Sequence, residues 1–240
     1  TGGDTSLGSM VTEAVRTDLE QSRTISLASQ SSVSAALKRM QRPDTSRLDV
    51  ALAREVAERE GMGAGADGHL PQLGAGLVMT LRLLAAEGGD ALATYQEPID
   101  NTKELLPAID KLTRKMRGKI GESLKAVHAS PRLEEVTTSS LAALKKYDAA
   151  MRAVDYDNTK AIALLRDAIA IDTTFAMAYR KLGMILEIDG RWGPESDSAL
   201  AQAYRYRDRL PDREHYLAIA SYFGDGPGRD RAKAVAAFET

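Results

Sequence analysis

The sequence has no cysteine, no apolar run long enough to cross a bilayer and no excess of basic charge, and each lack removes a class of function. Without cysteine there is no disulfide framework, no thiolate nucleophile and no Cys-ligated zinc, and the chain suits an oxidising compartment as well as a reducing one. The longest apolar stretch, Leu73 to Ala86, is interrupted by Arg82 and falls short of the roughly 20 residues a spanning helix needs. Net charge is −2, with Lys and Arg shared about equally before and after Pro131, so neither half has the basic excess that phosphate backbones demand. Nucleic acid is not an expected partner. A G-x-x-x-x-G-K-[ST] phosphate cradle is also missing.

At 240 residues and 43% hydrophobic content, the chain can bury one sizeable core or two modest ones. Small and large apolar residues recur through the last hundred residues: Ala161, Leu165 and Ala168, then Ala199 and Ala203, then Ala234 and Phe238. From Ala161 to Ala199 is 38 residues and from Ala199 to Ala234 is 35, with an insertion around Gly190 to Ser198 accounting for the longer step. A period of roughly 34 predicts stacked helical hairpins, whose product is a binding surface. Leu144, Tyr147 and Met151 mark a helix before this set, and Glu214 to Tyr222 and Arg231 to Phe238 mark two at its end. The chain starts at Thr1 without methionine or a signal-peptide apolar segment and stops at Thr240 inside a helical pattern, as a processed or partial chain would.

Upstream, Met10, Ala14, Val15 and Leu19 fall near helical spacing, and a β-prone segment, Thr24 to Ala28, follows. Val33, Ala36, Leu37 and Met40 mark a second helix ending before Pro43. Ser46 with Asp49 has capping-box spacing for a third, whose apolar face is Val50, Ala53, Val56 and Ala57. Leu77, Met79, Leu81 and Leu83 alternate with polar residues as a half-buried strand. Glu87-Gly88-Gly89-Asp90 is turn chemistry, and Ala91 to Glu97 resumes the extended pattern, predicting an antiparallel hairpin. Leu105, Ile109, Leu112, Met116, Ile120 and Leu124 form a continuous stripe on one long helix from about Glu104 to Val127, and Ser130-Pro131 is the domain boundary.

Residues Tyr179, Leu182, Gly183 and Leu186, after the alanines from Ala161, resemble a tetratricopeptide repeat. Tyr179 stands for the family's tryptophan, and Thr173 stands where a helix-ending proline is usual. The segments "TEAVRTDLEQS", "LKRM", "AREVAEREG", "LRLLAAEGGDALATYQE" and "LEEVTTSSLAALKKY" resemble, over nearly the whole chain, the region after the membrane segment of bacterial receptor-type serine/threonine kinases. That region is an α/β module similar to FlgO or CsgG envelope proteins, running into tetratricopeptide repeats. The resemblance implies an α+β chain: a small α/β module with a mixed sheet and helices over residues 1–130, then an all-α hairpin array over residues 131–240. It also implies a strand where Gly63, Gly65, Gly68 and Pro71 stand, residues that disrupt one, and an opening strand upstream of Thr1.

Each chemical motif meets a plainer reading. Gly63-Ala64-Gly65-Ala66-Asp67-Gly68 fits G-x-G-x-x-G but follows a helix and runs into Pro71, which reads as an irregular loop. His69, His128 and His215 are far apart and share no helical metal spacing. Asp225 to Asp230 lacks the spacing and terminal glutamate of a calcium loop, and Glu134-Glu135 and Asp155-Asp157 read as solvated helix ends. No kinase signature is present: no V-A-I-K lysine behind a Gly-rich loop, no H-R-D and no D-F-G.

No cofactor or metal is therefore expected, and the leading expectation is a non-enzymatic protein-binding scaffold. Its partners would be subunits of a membrane assembly (secretion, envelope, or bioenergetic such as a photosynthetic reaction centre), and its place periplasmic or extrinsic at a membrane surface. The alternatives are the sensor region of a receptor kinase and an enzyme with a site where the two regions meet. The resemblance assigns Arg180, Met184 and Glu187 to the concave face, with Met177 and Ile188 on that face or in the core. Tyr204, Arg205, Tyr206, Arg207 and Arg209 form either an interface rich in arginine and tyrosine or a core edge with solvated arginines.

Overall fold

The computed structural model describes residues 5–43, 48–73, 76–154 and 156–239; Ser46 and Asp155 lie outside the described residues. The fold class is α+β, and the chain divides into two compact units, Asp18–Ala129 and Thr1–Thr17 with Ser130–Thr240. The first seventeen residues, placed with the N-terminal module from sequence, thus group with the C-terminal helices.

The unit Asp18–Ala129 begins at the end of helix α1 (Thr5–Leu19) and continues through α2 (Gln30–Arg39) and α3 (Val50–Arg59) before any strand. The expected strand at Thr24 to Ala28 is not formed: Ser22 Oγ accepts the Thr24 and Ile25 amides at 3.1 and 3.2 Å, closing a turn instead. Helix α2 starts on Ser29 and α3 on Asp49, each side chain accepting the amide three residues on, so Asp49 is itself the cap. Ala36, Leu37 and Val56 form a small core between these helices, with Val33, Met40 and Leu52 against it.

The sheet follows, built on β3 (Gly76–Ala85). Strand β4 (Ala91–Ile99) pairs along one side of it, and β1 (Ala64–His69) and β2 (Gln72–Leu73) pair along the other. The hairpin turn is as expected, with Gly88 and Gly89 both at positive φ, 78° and 75°, the pairing that reverses two twisted strands most tightly. Every pairing is antiparallel, so the sheet is not mixed: only short turns join the strands, and a parallel neighbour needs a crossover of a dozen residues or more. The glycine-rich stretch is strand β1, not a loop. Asp67 lies opposite Arg82 and accepts from its Nε at 2.8 Å, a cross-strand ion pair that offsets the weak strand propensity of Gly65 and Gly68.

Met79, Leu81 and Leu83 turn to the inner face of the sheet, and helix α4 (Leu105–Ile120) covers it with Leu105, Ile109, Leu112 and Met116. Each such side chain contributes about 1.5–3 kcal/mol on burial. The long helix expected to Val127 is broken: Gly121 takes the left-handed conformation at φ 108°, ending α4, and α5 (Leu124–Ala129) starts afresh. Ile120 and Leu124 are consequently exposed rather than part of the stripe.

Behind the apolar contact lies a polar cluster. Arg117, fully buried, donates from Nε and Nη2 to Glu122 at 2.9 and 2.7 Å, and Glu122 is held below its ordinary value chiefly by that arginine. Asp18, also fully buried, accepts from Thr113 and from Gln21 Nε2, the latter at 2.6 Å. The Thr113 hydroxyl has one proton for three neighbouring acceptors: Asp18 and the carbonyls of Ile109 and Asp110. Burial, with Asp110 adding to it, pushes Asp18 up from 3.8 to about 6 against the opposing pull of Thr113, Arg117 and Arg114.

The unit Thr1–Thr17 with Ser130–Thr240 is helical among the described residues. After the short α6 (Leu133–Val136) come α7 (Leu141–Ala153) and α8 (Asn158–Ile171), α9 (Ala176–Ile188) and α10 (Pro194–Arg205), and α11 (Asp212–Gly224) and α12 (Arg231–Phe238). Each named couple is joined by a short connection and packs together, and α8 packs on α9 as α10 does on α11. Ala161, Leu165, Ala168, Ala199, Ala203 and Ala234 are all buried, as their spacing requires. Phe238 is 68% exposed, and Ala237 takes the inward position beside it. Helix α8 ends sharply without a proline, because Asp172 Oδ1 accepts the Thr174 amide at 2.9 Å.

Three hydrogen bonds of this unit join residues 34 or 35 positions apart. Thr138 Oγ1 donates to Asp172 Oδ2 at 2.6 Å across 34 residues, and Arg180 Nε donates to Glu214 Oε2 at 2.6 Å across 34. Arg209 Nη1 reaches the Thr174 carbonyl at 3.3 Å across 35. The first and third join the two ends of a hairpin, and the second ties α9 to α11 of the following hairpin.

Asp18 sets a pH dependence for its unit. Because its folded value lies above 3.8, its contribution to stability is fully present below about pH 4 and is lost as the pH rises through about 6. Glu122 acts oppositely and at lower pH. Urea unfolding should show this unit less stable at pH 7 than at pH 5. Asp18→Asn should flatten that slope and stabilise the unit by about 1–3 kcal/mol at pH 7.

Candidate docking surface

Helix α9 presents Met177, Arg180, Lys181, Met184, Glu187 and Ile188 at successive turns of one side, but the structure separates these residues by role. Met177 is 4% exposed and belongs to the core. Arg180, expected on the concave face, is 2% exposed: it is paired with Glu214 of α11, and its Nη1 lies 2.7 Å from Met184 Sδ. A guanidinium fixed on three sides by its own chain cannot also receive a partner. The reason lies in the 34-residue spacing, which places the Glu214 carboxylate directly over it.

Met184 is half-buried beside that pair. Glu187 is also half-buried, and its Oε1 has no hydrogen-bond partner among the described residues. Burial, then the nearby carboxylates of Asp225 and Asp197, push it up to about 7. Beyond it the apolar surface opens: Ile188 is 73% exposed and Trp192, the only tryptophan of the chain, is 62% exposed. Trp192 was missed from sequence, although its place between Gly190 and Gly193, both at positive φ, marks a turn and not a core position.

The Tyr204 to Arg209 segment is mostly consumed within its own unit. The Tyr204 ring stacks on Tyr222 at 4.2 Å and meets Phe223 edge-on at 5.5 Å, and the Arg207 guanidinium lies 4.2 Å above Tyr204. Arg207 also donates from Nη1 to the Tyr204 carbonyl at 2.8 Å. Arg209 donates to the carbonyls of Glu135 and Thr174, both at 3.3 Å. Tyr204 and Arg209 are therefore fastenings to neighbouring elements and Arg207 packs on its own segment, which corrects the interface reading for these three. Arg205 remains exposed, 5.5 Å from the half-buried Tyr206 ring, which stacks loosely on Tyr179 at 6.4 Å.

The other motifs assemble no chemistry. Strand β1 leads into β2 and no helix follows it, so the G-x-G-x-x-G stretch has no helix terminus for a pyrophosphate. Among the described residues no three His, Asp or Glu side chains converge as a metal site. His69 sits on β1 beside Asp67 and Arg82, His128 is exposed on α5, and His215 Nδ1 lies 3.0 Å from the Arg207 carbonyl. Glu135 accepts the Arg132 amide, Asp157 caps α8 and Asp230 caps α12. A shallow concavity on α3, lined by Arg42, Asp49, Arg54, Glu55 and Glu58, is open and charged.

Compared with known proteins, the chain matches no family model, and no curated protein matches it.

The Arg180 and Glu214 pair gives a test of structural against binding use. Arg180→Ala should destabilise the C-terminal unit by about 3–5 kcal/mol, since it leaves Glu214 charged and buried. The double change Arg180→Met with Glu214→Leu should cost far less. Thermal unfolding of the three chains checks this.

Proposed function

We propose that this chain is a non-catalytic protein-binding scaffold, an extrinsic subunit that docks other proteins of a membrane-associated assembly through its C-terminal helices. The observation that carries the reading is the pair Ile188 and Trp192, large apolar side chains left 73% and 62% exposed at the end of α9 and in the turn after it. Single exposed apolar residues are ordinary, but tryptophan is the residue type most enriched where binding energy concentrates. Two large apolar groups within five positions, beside Met184 and Glu187, offer an anchor with a polar edge. The tetratricopeptide-like pattern of Tyr179, Leu182, Gly183 and Leu186 supports the same use, because stacked hairpins expose a long rigid face.

The membrane setting and the extracytoplasmic side rest on the resemblance to the receptor-kinase region. No described helix is long and apolar enough to cross a membrane. The scaffold assigns the chain no reaction.

Isolation of the native chain by gentle detergent extraction is the test. A stoichiometric protein partner should accompany it, and Ile188→Asp with Trp192→Ala should weaken that complex by about tenfold or more while leaving stability within about 0.5 kcal/mol. Trp192 fluorescence reports the contact directly, by a blue shift when the partner is added. Recovery of a free monomer, or a double variant that binds as tightly as the original, contradicts the proposal.

A further inference from the structure

The sheet of the unit Asp18–Ala129 has an open edge along β4, which pairs with β3 on one side only. The ladder fixes which backbone groups point outward. The Val78 amide donates to the Pro71 carbonyl at 3.1 Å, on the far side of β3, so Val78 and Pro98, which stand opposite each other, exchange no hydrogen bonds. Such pairs alternate along an antiparallel ladder, and the next two are Thr80 with Gln96 and Arg82 with Thr94. The N–H and C=O groups of Thr94 and Gln96 therefore point away from β3, and among the described residues no hydrogen bond takes them up. Both residues are exposed.

Strand edges are commonly blunted by charge, by proline or by a bulge. Strand β4 has such features only towards its ends: Glu97 and Pro98 at one, and at the other a shift of register that passes over Leu92, since Leu83 faces Ala93 and Leu84 faces Ala91. Between them, Ala93 to Gln96 carries neither charge nor proline. The ends thus delimit a window, Ala93 to Glu97, for one short added strand.

The surroundings of this window select the strand. Ala93, Tyr95 and Glu97 stand opposite Leu83, Leu81 and Met79, on the inner face that α4 covers. Lys111 of α4 pairs with Glu97, which sets that side of the helix against β4. Lys115 and Lys119 follow at four-residue steps, the spacing that keeps side chains on one side of a helix. Both are exposed, and among the described residues no ion pair takes up either ammonium. A strand laid on β4 has these two cations on its inner side and the uncharged Thr94 and Gln96 beside its outer side chains. A second copy of the chain fits this edge poorly, because its own window offers one acid, Glu97, already paired, and brings the same lysines with it.

We propose that the β4 edge is a strand-addition site for an extended acidic segment of a partner protein, whose backbone bonds to Thr94 and Gln96 and whose carboxylates, at alternate positions, face Lys115 and Lys119. Main-chain bonds supply affinity in such pairing, and side chains at every second position supply specificity. The proposal goes beyond the scaffold reading, which rests on the C-terminal helices, and each stands without the other.

Fluorescein-labelled peptides titrated into the full chain, read by fluorescence anisotropy, test it. The probe is Thr-Glu-Val-Glu-Val-Glu-Thr, whose glutamates take the inner positions and whose valines lie opposite Thr94 and Gln96; its counterpart has lysine for glutamate. The acidic peptide should bind at least about tenfold more tightly than the basic one, and Lys115→Glu with Lys119→Glu should invert that order. Methylating the amide nitrogens of both valines should weaken the acidic peptide by about tenfold or more, whereas methylating that of the central glutamate, which faces away from β4, should change its affinity by less than about twofold. Equal affinity for the two peptides, or undiminished binding of the valine-methylated one, overturns the proposal. So does the absence of binding up to about 1 mM peptide. The methylated peptides act on the unaltered chain and decide the matter even if the double variant fails to fold. A chain that sediments as a dimer, and loses the dimer as the acidic peptide is added, places a second copy on the edge and also overturns it. Ile188→Asp with Trp192→Ala leaves β4 and α4 unaltered, so failure of the scaffold reading and failure at this edge are read separately.

Discussion

The C-terminal unit rests on the contact between the bare backbone of Gly183 on α9 and the side chain of Leu200 on α10. A Cβ added at position 183 would stand 2.5 Å from Leu200 Cδ2 and 2.7 Å from its Cγ, closer than real atoms approach, and Leu200 is fully buried with no room to swing away. The absence of a side chain at one position therefore sets how closely two helices meet. Alanines at 161, 168, 199 and 203 do the same along the neighbouring seams. Given that spacing, the loops fall into register, and Thr138, Asp172, Thr174 and Arg209 link across them from one hairpin to the next.

That register decides which surface residues remain for function. Arginine and tyrosine are the residues an interface favours, and they are also long enough to bridge neighbouring hairpins. Here Arg180 and Arg209 are spent on the second task, because a partner group outside their own hairpin or loop lies within reach of each, and Arg207 is spent on Tyr204 of its own segment. What stays available are residues beyond the reach of the neighbouring hairpin: Ile188 and Trp192 at the end of α9, and Arg205. Stacked hairpins thus divide their polar and aromatic side chains between fastening and exposure, and sequence position alone does not assign them.

Much of the architecture was legible in the sequence for a simple reason: burial leaves a period. The alternation Leu77, Met79, Leu81, Leu83 and the glycines of the following turn located the β3 and β4 hairpin, and the alanine spacing located the helices of the C-terminal unit. What was illegible depends on partners distant in sequence. Strand β1 looked like a loop because its glycines carry no strand signal; Arg82 fifteen residues on supplies what they lack. The break at Gly121 was hidden by a stripe that continued through it, since Ile120 and Leu124 keep the spacing while facing solvent. The role of Arg180 could not be read from its own helix, only from Glu214 thirty-four residues away. The residues of α1 showed a helix but not what it packs on, because an apolar stripe says that a face is covered and not by what.

The most direct measurement of the account is a double-mutant cycle on Gly183 and Leu200 followed by thermal unfolding. If close approach governs the hairpin, Gly183→Ala destabilises the chain by about 1–3 kcal/mol, overpacking a filled seam despite the better helix propensity of alanine. In a Leu200→Ala background the same change becomes neutral or stabilising, and this reversal is the predicted result. A Gly183→Ala chain more stable than the original in both backgrounds would show that nothing presses on position 183, and would contradict the account at its base.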